Sequence, residues 1–322
     1  MRELKEANEK YNGKPIEQIN VQPSQDIVDM VNSWDNMGFN AKRLAHACKI
    51  YENMIADKEC VKFFALSGAM IPVGFQKIMY DFLNEGFIDV LVTTGANLTH
   101  DLAEALGDHH LQGYACEDKN TDEILHEEHL NRIYDVFMPN AIYENMEDWI
   151  HSFKMDPKTS VKEALWELGK HLPEGNKSIL RICYEKKIPI YCPAFTDSGL
   201  GMQLLFCYPN MNLNHFEDLN DMINTAWDTK VPGVFILGGG VPKNFIFQAM
   251  QFSPNSAKYV VQITTDAQVS AGGLSSASLS EAVSWGKINV KGDSSQVHLD
   301  ASIAVPILLS YLKQKKKDGK FD

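Results

Sequence analysis

Val61-Lys-Phe-Phe-Ala-Leu66, an amphipathic stretch from Pro72 to Leu83, and Ile88-Asp-Val-Leu-Val-Thr93 decide the fold. The outer pieces are short and apolar, and the second is rich in β-branched residues, as buried strands are. The piece between them, entered by a turn at Gly68, is long enough for a helix and spaces its apolar residues accordingly. Strand, helix, strand in that order predicts a βαβ unit and a parallel sheet.

The alternation continues downstream. Ile188-Pro-Ile-Tyr-Cys192, Gly233-Val-Phe-Ile-Leu237, Tyr259 to Thr265 and a short piece from Gln296 to Leu299 read as further strands. Asn145 to Phe153, Ser160 to His171, His215 to Thr229 and a last helix opened by Asp300-Ala301 and running through Leu312 fall around them. Upstream, Asp26 to Trp34 and Asn40 to Asp57 show helical spacing on either side of Gly38-Phe39, with Asn40 a candidate N-cap. The expected fold class is α/β, a doubly wound, mainly parallel sheet with helices on both faces. Residues 1–24 mix polar residues and proline without periodicity and are expected to be an N-terminal arm. With no internal repeat and no evident linker, residues 25–322 are expected to form one domain. Gly107 to Phe137 reads as irregular and polar, and Lys313 to Asp322 as a solvated, lysine-rich tail.

Composition narrows the function. A net charge of -12 over 322 residues argues against nucleic acid as a partner, because phosphate binding wants a basic surface. The same charge suits cationic substrates. Six cysteines are scattered without a CxxC pair, so buried thiols in a reducing compartment are expected. No window approaches the roughly 18 apolar residues that span a membrane, and the polar N-terminus lacks the apolar core of a signal peptide. A cytoplasmic protein is expected. His126-Glu127-Glu128-His129 raises a metal site, but it lacks the HExxH order and a third ligand nearby, so no metal is expected.

The chemistry concentrates at strand ends. Ligands of doubly wound sheets sit beyond the carboxyl ends of strands, which makes the turn Thr94-Gly95-Ala96-Asn97, before a helix expected to open at Leu98, a candidate cofactor contact. Asp197, a carboxylate after the strand ending at Cys192, suits ribose hydroxyls or, equally, the cap of the next helix. Gly238-Gly239-Gly240 lets backbone approach a pyrophosphate closely, although it is not GxGxxG. Thr265 ends another strand. Converging, these turns describe a dinucleotide site. Near the C-terminus, Glu281-Ala-Val-Ser-Trp-Gly-Lys-Ile288 places a lysine behind a tryptophan and six residues after a carboxylate. An indole wall desolvates Lys287 and favours the neutral, nucleophilic amine; the alternative is a stem packed on an aromatic with its ammonium in water.

That octapeptide resembles the active-site lysine segment of the deoxyhypusine synthase family. Asp89-Val-Leu-Val-Thr-Thr94, Asn131-Arg-Ile133, Pro193-Ala-Phe-Thr-Asp197, Ile236-Leu-Gly-Gly-Gly-Val-Pro-Lys243 and Asp300-Ala-Ser302 are similar to further family blocks in the family's order. The resemblance implies a Rossmann-like NAD site and transfer of the butylamine part of spermidine through an enzyme-lysine imine to an acceptor amine. It places Thr94, Asp197, Gly238, Gly239, Gly240, Ser275, Asp300 and Ala301 on NAD, and Glu281, Trp285 and the catalytic Lys287 on the amine pocket. It also implies a homotetramer with active sites shared between subunits. This chain departs from the family at Met202, at Leu274 in a loop without aspartates, at Lys243-Asn244-Phe245 and at Thr99-His100. Asn244 and His100 are therefore candidate substrate-binding residues of altered character. A long triamine loses grip without those carboxylates, so a small polyamine acceptor and a homospermidine-type product are expected. The alternative is a deoxyhypusine synthase acting on a lysine of a translation factor; a silent NAD-binding scaffold is a third reading, disfavoured by retention of Glu281, Trp285 and Lys287.

Overall fold

The computed structural model describes residues 15–114, 119–269 and 272–321. Its strands, in chain order, are β1 (Cys60–Leu66), β2 (Val90–Thr93), β3 (Leu111–Gln112), β4 (Leu130–Ile133), β5 (Val136–Pro139), β6 (Lys158–Thr159), β7 (Ile190–Tyr191), β8 (Asn212–Leu213), β9 (Val231–Leu237), β10 (Ala257–Ile263) and β11 (Ile288–Val297). The main sheet has the order β11-β10-β9-β1-β2-β7, parallel throughout. The chain starts in the middle at β1, builds β2 and β7 to one side, then returns to add β9, β10 and β11 on the other. The expected doubly wound α/β architecture is thus present, and its reversal point lies between β1 and β9.

Successive residues of a strand face opposite sides of a sheet. Phe64, Leu66, Phe235 and Val261 accordingly join a core with the helices Phe39–Ala56, Gln76–Asn84 and Ala301–Lys317. Phe63, Ala65, Val234 and Val260 join a second core with His215–Asp228, Gly240–Gln251 and Leu279–Ser284. Covered on both faces, these strands have to be apolar throughout, which is why they stood out in the sequence. Phe64 and Phe235 meet edge to face, centroids 4.7 Å apart; burying such a ring contributes about 1.5–3 kcal/mol.

Several local expectations are corrected. The segment from Pro72 to Leu83 is split by Gly74, at φ +97°, into a 3-10 turn (Ile71–Val73) and a helix (Gln76–Asn84). Gly38, not Asn40, occupies the N-cap position of the helix Phe39–Ala56, and the Asn40 side chain instead donates to the carbonyl of His298 at 2.6 Å. The strand expected over Gln296–Leu299 is the end of a longer one: β11 starts directly after Lys287, and its pairing with β10 slips between Ala257 and Tyr259. Its first half is largely exposed and polar, so it carries no apolar signal. Gly107 to Phe137 contains the antiparallel set β3-β5-β4. The lysine tail is docked rather than solvated: the last helix runs to Lys317, with Lys313 on Asp81 at 2.7 Å, Lys315 on Glu52 at 3.3 Å and Lys316 on Glu85 at 3.1 Å, and Phe321 is buried. Of the expected arm, residues 1–14 lie outside the described residues, and residues 15–22 have no regular structure.

One buried carboxylate holds the layers together beside the sheet. Asp101 accepts the amides of Ile179 at 2.9 Å and Leu180 at 3.0 Å, which open the helix Ile179–Lys186, and the Gln76 side chain at 3.0 Å. Burial raises its pKa to about 6, against the pull of those hydrogen bonds. Among the described residues, no helix is long and apolar enough to cross a membrane.

Candidate active site

The strand ends assemble the dinucleotide candidates along one edge. β2 leads into Thr94 and Gly95, β7 into the turn bearing Asp197, β9 into Gly238–Gly240, β10 into Thr265, and β11 into Asp300 and Ala301. The helix after β2 opens at Gly95, a turn earlier than expected, because the Thr94 hydroxyl caps it, accepting the amide of Asn97 at 3.2 Å and donating to the carbonyl of Gly68 at 2.6 Å. A Cβ on Gly95 would collide with the Ser198 side chain, so this turn and the Asp197 turn are packed together. Ser198 caps the next helix (Gly199–Cys207) through the amide of Gly201 at 3.0 Å. Asp197 is thereby not the cap; its carboxylate is exposed and, among the described residues, accepts no hydrogen bond. Asp300 caps Ala301–Lys317 through the amide of Ser302 at 2.7 Å.

At the glycine turn, Gly238 and Gly240 take φ of +73° and +57°, where a side chain is strained. Gly239 is required for another reason: a Cβ there would run into the backbone of Ser275. Helices open at Gly95, Gly240 and Ala301 on this edge. Their free N–H groups and dipoles suit an anionic ligand.

Lys287 stands elsewhere. Ser278 caps the helix Leu279–Ser284 by accepting the amide of Glu281 at 3.1 Å, and Gly286, at φ +70°, turns the chain into β11. The amide of Ala257 donates to the Lys287 carbonyl at 3.0 Å, fixing its backbone at the amino end of that strand. The amine lies 5.3 Å from the Trp285 ring centroid and lines one pocket with Glu281, Trp285, Asn244, Lys243 and Phe247. Burial lowers the Lys287 pKa, while Glu281 opposes the shift. Trp285 is 56 % exposed, so its attraction for a cation is worth about 0.5–1 kcal/mol.

Two residues escaped the sequence reading. Gln262, buried in β10, donates to the carbonyls of Gly238 at 2.7 Å and Ser275 at 2.9 Å, and accepts from Lys243 at 3.0 Å. Together Lys243 and Gln262 form the wall between the glycine turn and the Lys287 pocket. The available signal was a polar amide inside the apolar run Tyr259-Val-Val-Gln-Ile263.

His100 does not line that pocket. It is buried on the helix Gly95–Ala105, its Nδ1 2.8 Å from Nε2 of His110, whose Nδ1 lies 2.7 Å from Glu104. Burial lowers the His100 pKa to about 4. Burial alone would raise Glu104, but hydrogen bonds from His110 and His109 hold it at about 2. His126 lies in the last turn of the helix Lys119–Glu127 and His129 lies beyond it at φ +58°, so the two share no helical face.

A family model described as deoxyhypusine synthase matches residues 29–312. A Methanosarcina acetivorans protein named "Probable deoxyhypusine synthase 1" is 39% identical over 307 residues, covering 94% of this chain and 95% of its own. Its namesake in Archaeoglobus fulgidus is 40% identical over 288 residues, 89% of this chain and 93% of its own. The crystal structure of a candidate deoxyhypusine synthase from Entamoeba histolytica shares the fold at a TM-score of 0.63 and 18% identity, covering 92% of this chain and 96% of that one. The chain belongs to the deoxyhypusine synthase family.

Proposed function

We propose that this chain is an NAD-dependent aminobutyltransferase whose covalent carrier is Lys287. The observation that carries the reading is the Lys287 amine, shifted by burial toward its neutral form and sharing a pocket with an indole face and a carboxylate. The carboxyl edge suits NAD: Gly240 has open space where a Cβ would stand, which leaves backbone bare for close approach of a pyrophosphate, and Asp197 offers an exposed carboxylate for ribose hydroxyls. Thr94, Gly95, Thr265, Ser275, Asp300 and Ala301 would line the rest. Bound there, NAD supplies an acceptor for hydride and later its donor.

The residues of the chain do the remainder. Glu281 pairs with a substrate ammonium and Trp285 offers its face to the same charge. The neutral Lys287 amine adds to the carbon of the oxidised substrate, the departing diamine takes its proton, and an imine stays on the lysine. An acceptor amine then displaces Lys287 by the reverse steps. Lys287 lies at the amino end of β11 and Asp300 beyond its carboxyl end. A homotetramer with sites at subunit interfaces would set the edge of one copy against the Lys287 pocket of another. Exposed Met202, Leu205 and Phe206, beside Asp197, offer an apolar surface for such a contact.

Glu281 is the sole carboxylate among the described residues lining the Lys287 pocket, while Leu274 and Asn244 are neutral there. One carboxylate suits one ammonium, which favours a small polyamine acceptor and a homospermidine-type product. We read residues 25–322 as one domain, working in the cytoplasm. The purified protein with NAD, spermidine and putrescine is expected to yield a new triamine. No new polyamine, but labelling of an added translation factor, would favour the deoxyhypusine synthase reading, which the names of the archaeal relatives support. Gly239→Ala, which drives a methyl into Ser275, is expected to weaken NAD binding at least about tenfold in a fluorescence titration, a displacement of about 1 Å being enough.

A further inference from the structure

We propose that Lys243 is a positioning residue whose ammonium locks residues 272–278, and with them Ser275 on the dinucleotide side and Glu281 on the amine side; this rests on the function proposed above. Lys243 sits in the first turn of Gly240–Gln251 and is 4 % exposed. Its Nζ donates to Gln262 Oε1, the Leu274 carbonyl and the Ala277 carbonyl, each at 3.0 Å. An ammonium has three hydrogens, so none is left for substrate. No carboxylate forms an ion pair with it among the described residues, and a buried cation without one is costly. A methionine would fill the space at less expense, so the hydrogen bonds are what the position requires.

The acceptors explain the role. Leu274 and Ala277 bracket Ser275-Ser276, and the Ser275 backbone is what Gly239 packs against. Ala277 precedes Ser278, the cap of the helix that carries Glu281. Lys243 also decides which way the Gln262 amide points: with Oε1 taken, Nε2 has to face the carbonyls of Gly238 and Ser275. A single nitrogen therefore ties both halves of the site to one loop position.

The tether is sensitive to pH. Burial lowers the Lys243 pKa to about 8; the nearby charged groups are Glu281, which raises it, and Lys287, which lowers it. Below that value three donors meet three acceptors. Above it the neutral amine has two hydrogens, and one acceptor is released.

The test compares the full-length protein with Lys243→Met by hydrogen exchange of residues 272–278, by NAD titration and by turnover against pH. The expected result is faster loop exchange, a kcat/KM lower on the order of a hundredfold, and loss of an alkaline limb near pH 8 that the unmodified protein shows. A uniform fall in turnover with limb and loop exchange unchanged would reduce Lys243 to a core residue and overturn the proposal. Loop exchange and NAD titration need no turnover. A loosened loop in a protein that transfers no aminobutyl group would support the tether while refuting the proposed reaction. If Lys243→Met does not fold, loop exchange of the unmodified protein from about pH 7 to about pH 9 decides the matter: protection lost through that window, beyond base catalysis, supports the tether, and constant protection refutes it.

Discussion

Lys287→Ala is expected to lower turnover at least about a thousandfold, as loss of a nucleophile does, and to abolish borohydride trapping of labelled spermidine on the protein. Among the described residues, the other lysine lining the pocket is Lys243, whose three hydrogens are committed to Gln262 and to the Leu274 and Ala277 carbonyls. Lys287→Arg separates the two readings of this side chain. An arginine keeps a stem against Trp285 and a cation in water, so a packing role would survive the change. A guanidinium stays protonated at working pH and cannot add to a carbon, so a covalent role would not. Both variants inactive, with label recovered from the peptide containing Lys287 in the unmodified protein, is the expected outcome. Retained turnover in either one would end the covalent mechanism. The direction of the pKa shift adds a check: burial favours neutral Lys287, so the rise of turnover with pH that tracks its deprotonation should be centred below that of an exposed lysine.

Legibility in the sequence followed how each element is buried. β1, β2 and β9 are covered on both faces and announced themselves as apolar runs, and the turns after β2 and β9, at Thr94 and at Gly238–Gly240, came with them. β11 hid because Asn289 to Ser294 contributes almost no apolar side chain to either core. The lysine-rich end misled because local composition cannot show that Asp81, Glu52 and Glu85 wait on other helices. Asp197 was undecidable from its neighbours, and only the folded turn shows Ser198 taking the cap. Lys243 was the instructive loss. Its identity was in plain view after the glycines, but its work depends on carbonyls of residues 274 and 277, and main-chain acceptors carry no signature in sequence.

The largest stability effect is expected at Asp101, far from Lys287. Asp101→Ala removes the partner of the buried Ile179 and Leu180 amides and one of the two acceptors of the half-buried Gln76 amide, which keeps the main-chain carbonyl of residue 101. Leaving buried donors unmet costs about 1–3 kcal/mol each, offset by no longer burying a carboxylate that ionises with difficulty. A net loss of about 2–4 kcal/mol follows, read as a fall in urea midpoint at unchanged slope. Its pH dependence has a definite sign. The folded pKa of about 6 lies above the ordinary aspartate value of 3.8, so the native state holds this proton more tightly than the unfolded chain. Stability from the protonated carboxyl is therefore complete below the unfolded value and is lost as pH rises through about 6, amounting to about 3 kcal/mol for a shift of about two units. The gap between the unmodified protein and Asp101→Ala should accordingly be wider at about pH 4 than at about pH 7. Taking the difference of the two proteins cancels the other carboxylates that titrate over the same range. A gap that instead widens toward neutral pH would mean that the ionised form is the one the Ile179–Lys186 helix needs, with its positive end outweighing the cost of burial.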